Sequence, residues 1–134
     1  MSKTVIESPE AGKPVGPYSQ AIEANGWIFV CGEKGVDPST GKIAEGGIRA
    51  ETAQTLKNID TILKSAGSSL DDVVRCVVYM RRIDEFAAMN EVYADVFRNR
   101  PPARTTVGVA DLPLGLSVMI EATAYRGESH SGHY

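Results

Sequence analysis

The chain has 134 residues, 43% hydrophobic and 23% charged, enough for one domain with a continuous core and no disulfide staples. A formal net charge of −3, with no run of like charges, excludes the broad electrostatic footprint of a nucleic-acid or membrane-surface binder. The first seven residues lack an apolar signal core, and no stretch approaches ~18 consecutive apolar residues, so a cytoplasmic protein is expected.

In chain order, Ala21 to Ala24 and Trp27 to Cys31 flank Asn25-Gly26. That dipeptide favours a type I′ hairpin because both positions adopt positive φ. Asp37-Pro38-Ser39-Thr40-Gly41 marks a turn. Over residues 44–66, Ile48, Thr52, Thr55, Leu56, Ile59, Ile62 and Leu63 recur at helical spacing, and Gly67 is placed to close the helix. Val73 to Met80 reads as a strand that is apolar at almost every position, so both of its faces need cover. One helical layer covers only one face, and the other is expected to meet a second subunit. Asp84 is expected to cap a helix from Glu85 to Phe97, with Phe86, Met89, Tyr93, Val96 and Phe97 on its buried stripe. Pro101-Pro102 ends that helix and leads into a strand over Arg104 to Val109. After the turn Leu112-Pro113-Leu114-Gly115, a last strand spans Val118 to Tyr125. This order predicts a single α+β domain over residues 1–134, its mixed, mostly antiparallel sheet carrying both helices on one face. The polar, Gly/Ser-rich residues 128–134 are expected to be a flexible tail.

The only histidines, His130 and His133, lie in that tail, and no Cys-x-x-Cys pair exists. A metal centre and a Ser-His-Asp triad are therefore not expected. Cys31 and Cys76 sit in apolar segments and read as reduced packing residues. Arg104 is the first candidate for chemistry. Strand alternation puts it on one face with Thr106 and Gly108, a fork-shaped donor beside a small hydroxyl and a glycine. That pattern suits a carboxylate ligand, and it also suits an internal ion pair. Asn90 lies beside the apolar stripe of the second helix, where an amide needs partners. Tyr18 follows the Gly16-Pro17 turn, which sets its hydroxyl on a rigid loop or packs its ring. Glu121 shares a strand face with Met119 and could act as a base or as a partner of Arg104.

Together these segments resemble the Rid (reactive intermediate deaminase, YjgF-like) family from Val5 to about Arg126. The landmarks are Gly16-Pro17-Tyr18-Ser19-Gln20-Ala21, the Asp37–Gly41 turn, Gln54-Thr55-Leu56-Lys57-Asn58-Ile59, Met89-Asn90-Glu91-Val92-Tyr93, Pro102-Ala103-Arg104 and Ile120-Glu121-Ala122. The resemblance implies a chorismate-mutase-like α+β domain forming homotrimers, with sites in the clefts between subunits. It implies cofactor-free hydrolysis of small enamines and imines to 2-keto acids and ammonia. Arg104 would then grip the substrate carboxylate, with Tyr18, Asn90, the backbone of Gly32 and groups near Thr106 lining the pocket and Glu121 close by. Two positions depart from the family pattern. Met119 stands where deaminating members typically carry a glutamate, and Thr106 where a cysteine is frequent. Met119 favours the alternative of a non-catalytic module that binds 2-keto acids. An endoribonuclease role, also attached to the family, finds no basic stripe, aromatic platform or catalytic histidine here.

Overall fold

The computed structural model describes residues 2–127, so the tail with His130 and His133 lies outside the described residues. The elements are β1 (Thr4–Ile6), β2 (Ala21–Ala24), β3 (Trp27–Lys34), the short pair β4 (Val36–Asp37) and β5 (Lys42–Ile43), α1 (Gly47–Ser65), β6 (Val73–Met80), α2 (Phe86–Val96), β7 (Ala103–Gly108) and β8 (Val118–Tyr125). Six strands form one sheet in the order β1-β2-β3-β8-β6-β7. Only β6 and β7 run parallel, with α2 as their crossover; the other pairs are antiparallel. The expected α+β architecture is present, with both helices on one face of the sheet. No helix of the described residues is long and apolar enough to cross a membrane.

The β2–β3 hairpin turns at Asn25 (φ 55°) and Gly26 (φ 86°), as the type I′ dipeptide requires. Helix α1 ends in a Schellman motif. Gly67, at φ 75°, donates to Lys64 O, and Ser68 donates to Leu63 O. The helix begins at Gly47 and not at residue 44, because the Ala44 N–H bonds back to Gly35 O and Gly46 and Gly47 take positive φ. The expected Asp84 cap is absent. A 3-10 turn over Ile83–Glu85 leads into α2, and the Asp84 carboxylate accepts from Arg82 Nε and Nη2. A neighbouring guanidinium outcompetes the helix N-terminus for that carboxylate.

Ile28 on β3, Leu56, Ile59, Ile62 and Leu63 on α1, Val78 on β6, Met89 on α2 and Ile120 on β8 form the buried centre. The opposite sheet face is open in the single chain. There Trp27, Phe29, Val107 and Tyr125 are exposed, with the Trp27 and Tyr125 rings 4.6 Å apart. Of the α2 stripe, Met89, Tyr93 and Phe97 are buried, whereas Phe86 and Val96 are exposed. Truncating the fully buried Ile59 to Ala is expected to cost about 2–5 kcal/mol, read as a lower urea midpoint. Gly67→Ala, which forces an alanine into left-handed backbone, is expected to cost about 1 kcal/mol in the same titration.

Candidate functional site

Phe86, Asn90, Tyr93 and Phe97 are spaced 4, 3 and 4 residues apart, so they rise along one side of α2. The parallel edge strand β7 carries Arg104 beside that stripe. The guanidinium carbon of Arg104 lies 4.6 Å from the centre of the Tyr93 ring and 5.6 Å from that of Phe86. Each such cation–π contact contributes about 0.5–2 kcal/mol and uses none of the N–H donors. Arg49, Arg81, Arg82 and Arg126 are paired with Glu91, Asp111, Asp84 and Glu23. Arg104 is half-buried and makes no salt bridge or side-chain hydrogen bond among the described residues. Thr106 stands on the same face, its Oγ1 buried and without a hydrogen-bond partner among them. Asn90 is half-buried, and its amide likewise makes no side-chain hydrogen bond there. A hollow of about 400 Å³ opens beside Arg104 and Asn90, a size typical of small-ligand sites. Two larger hollows, of about 730 and 720 Å³, do not reach the guanidinium.

A second group of expected site residues gathers around β3. Between Val30 and Glu33 two residues of β3, Cys31 and Gly32, oppose the single Glu121 of β8, a bulge that places Gly32 against Met119. A Cβ on Gly32 would come within 2.8 Å of the Met119 methyl. Tyr18 packs its ring on Gly16, and its hydroxyl accepts from the Val15 N–H at 3.2 Å and from Lys34 Nζ at 3.5 Å. Within one chain, β8 and β6 separate this group from Arg104. Glu121 shares the face of β8 that carries Met119, opposite the β3 bulge and away from Arg104 within one chain. Arg104 is in register with Cys76, and Cys76 with Ala122, whereas Glu121 is in register with Val77, so Glu121 faces the open side of the sheet. There its carboxylate accepts from Tyr79 Oη at 2.6 Å, and that hydrogen bond raises the tyrosine's pKa. Arg104, Asn90 and Thr106 therefore lie together, Tyr18, Gly32 and Met119 lie together, and a single chain does not join the two groups.

Sequence reading missed Glu33, Lys34, Phe86 and Tyr93 as parts of these surroundings. Glu33 is only 3% exposed and accepts from the Cys31 thiol at 3.5 Å. Burial pushes the Glu33 carboxyl up, opposed by the nearby Lys34 charge. Burial, reinforced by Glu33, pushes the Cys31 thiol up to about 12. Glu33 and Lys34 were missed because the bulge draws this charged pair into a strand predicted to end at Cys31.

The family model described as Endoribonuclease L-PSP matches residues 8–126. The chain belongs to the Rid (YjgF-like) family. A RutC family protein of Pyrococcus horikoshii is 48% identical over 124 residues, 92% of this chain and 98% of the relative. Mouse 2-iminobutanoate/2-iminopropanoate deaminase is 40% identical over 125 residues, 93% of each chain. Among solved structures, Escherichia coli TdcF with bound serine superposes with a TM-score of 0.88 at 32% identity, covering 92% of this Rid chain and 99% of TdcF. These likenesses extend over the whole domain, including both residue groups described above.

Two outcomes follow for the buried pair. A thiol titrating near 12 is almost wholly protonated at pH 8, so iodoacetamide should modify Cys31 roughly a thousandfold more slowly than an ordinary peptide thiol. Rapid labelling of Cys31 in the native protein would show the thiol is not held in this way. Glu33 keeps its proton in the folded state at pH values where the unfolded chain, titrating near 4.5, has released it. Its contribution is intact below that value and is lost as pH rises through the raised one. Glu33→Gln should therefore raise the melting temperature at pH 8 and change it little at pH 4. An equal effect at both pH values would contradict a raised carboxyl.

Proposed function

We propose that this protein hydrolyses small 2-imino acids and their enamine tautomers to 2-keto acids, with Arg104 holding the substrate carboxylate. Water adds to the C=N carbon, the nitrogen takes up protons, and the C–N bond of the resulting carbinolamine breaks to leave the ketone and ammonia. One observation carries this reading. Arg104 is fixed by ring faces while its N–H fork has no carboxylate of its own among the described residues. A bidentate carboxylate on that fork gains two charge-assisted hydrogen bonds of about 1.5–3 kcal/mol each. The name of the mouse relative supports the imino-acid chemistry for this chain.

The rest of the site supplies orientation. Asn90, beside the fork, offers both a donor and an acceptor to the polarised nitrogen or the attacking water. Met119 supplies no proton, so turnover draws on positioning and on the ease with which imines already hydrolyse in water. We place Tyr18 and Gly32 of one subunit opposite Arg104, Asn90 and Thr106 of the next, in a homotrimer that covers Trp27, Phe29, Val107 and Tyr125. That arrangement joins the two groups that one chain keeps apart. Glu121, beside Met119 on the covered face, serves this contact through Tyr79 and is placed to reach a substrate held by the next subunit's Arg104. The two free thiols suit a cytoplasmic setting, and the hydrolysis itself requires no cofactor.

Met119 supports a second reading, a module that binds 2-keto acids without turnover. Adding the protein to an L-amino-acid oxidase reaction should speed keto-acid release, and Arg104→Ala should lower kcat/KM at least about 100-fold while the variant still unfolds cooperatively, at a midpoint lowered only by the loss of the two cation–π contacts. The fold survives because no buried acid loses a partner and only the two ring contacts are given up. No acceleration for any amino acid, combined with thermal stabilisation by keto acids, would select the binding module. A monomeric mass in solution would remove the shared cleft.

A further inference from the structure

We infer that the hollow beside Arg104 is the pocket for the substrate's side chain, and that it selects 2-imino acids with branched or aromatic apolar side chains over small or acidic ones. This rests on the deamination reading above and specifies its substrate class. The constraint begins with Arg104. Held against Tyr93 and Phe86, the guanidinium fixes where a carboxylate sits and leaves few directions for the substituent on the adjacent carbon. The hollow of about 400 Å³ lies beside it, between the C-terminal half of α2 and the start of β7. Its walls are Tyr93, Ala94, Phe97, Pro101 and Pro102. Among the described residues of one chain, Asn90 and Arg104 complete the lining, so no acidic side chain and no second cation of theirs lines it.

Such a wall rewards carbon. Each methylene moved from water into it gains about fourfold in affinity, the equivalent of about 0.8 kcal/mol. A second carboxylate would lose water, and within one chain the lining offers it no counter-charge beyond the guanidinium already engaged. Pro101 and Pro102 hold their part of the wall by fixed φ, so the hollow keeps its shape when empty.

The test compares imines that L-amino-acid oxidase makes from leucine, phenylalanine and alanine. It also measures calorimetric binding of 4-methyl-2-oxopentanoate, phenylpyruvate, pyruvate and 2-oxoglutarate. We expect kcat/KM at least about tenfold higher for the leucine and phenylalanine products than for the alanine product. The two bulky keto acids should bind in the same order relative to pyruvate, with 2-oxoglutarate no better than pyruvate. Ala94 is exposed, and Ala94→Phe would fill the hollow from its rim, so this variant should lose or reverse the preference. Turnover of all three imines at equal efficiency, or an Ala94→Phe loss that is the same for every substrate, overturns the pocket and leaves deamination standing. Ordered keto-acid binding without turnover overturns deamination and supports the pocket. Neither turnover nor binding overturns both.

Discussion

The functional account depends on how one cation is held. Arg104 projects from an edge strand, where a long side chain would normally find an acid or water. Here the guanidinium lies over two aromatic rings on the neighbouring helix. Cation–π contact restrains a guanidinium while leaving its donors unused. An acidic partner would restrain it equally well, but it would also neutralise it and occupy the fork. Position and availability are thus secured together, and the spacing of Phe86, Asn90 and Tyr93 along α2 is the sequence feature that does it.

The sheet order then decides what else can join the site. With β7 at the edge and β3 beyond β6 and β8, the groups around Arg104 and around Gly32 cannot converge within one chain. The exposed aromatic residues on the sheet's open face point the same way, since a surface of this kind gains most from being covered. A site assembled from two subunits would make ligand binding and assembly reinforce one another. Near Gly32 the chemistry differs from that near Arg104. A buried carboxyl, a protonated thiol and a buried lysine crowd a bulged strand, and the register alternation sets Glu33 with Ile120 while Lys34 pairs with Met119.

Much of the fold was legible in the sequence because local rules acted without competition. Asn25-Gly26 had one turn type to adopt, Gly67 closed α1 by the expected hydrogen bonds, and β8 spans Val118–Tyr125 as alternation indicated. The deviations arose where a nonlocal contact prevailed. Asp84 had the right chemistry for a helix cap, but Arg82 offered two donors at once. The first turn expected of α1 was drawn into contact with Gly35. The site was legible in part. Arg104, Thr106 and Asn90 could be singled out by alternation and spacing, but the roles of Phe86 and Tyr93 could not, because an aromatic on a helical stripe reads as core. Tyr93 is core, and it also carries the cation on its face. Glu121 illustrates the converse limit. Alternation gave its face on β8 correctly, yet only the pairing of β6 with both β7 and β8 shows that this face lies opposite Arg104.

The most direct measurement is a crystal structure of the assembled protein grown with 4-methyl-2-oxopentanoate. The ligand's carboxylate should meet the Arg104 fork through two hydrogen bonds, with the guanidinium still against the Tyr93 ring. An Arg104 side chain bonded instead to an acidic residue of a neighbouring copy, with the keto acid elsewhere or absent, would contradict the account at its centre.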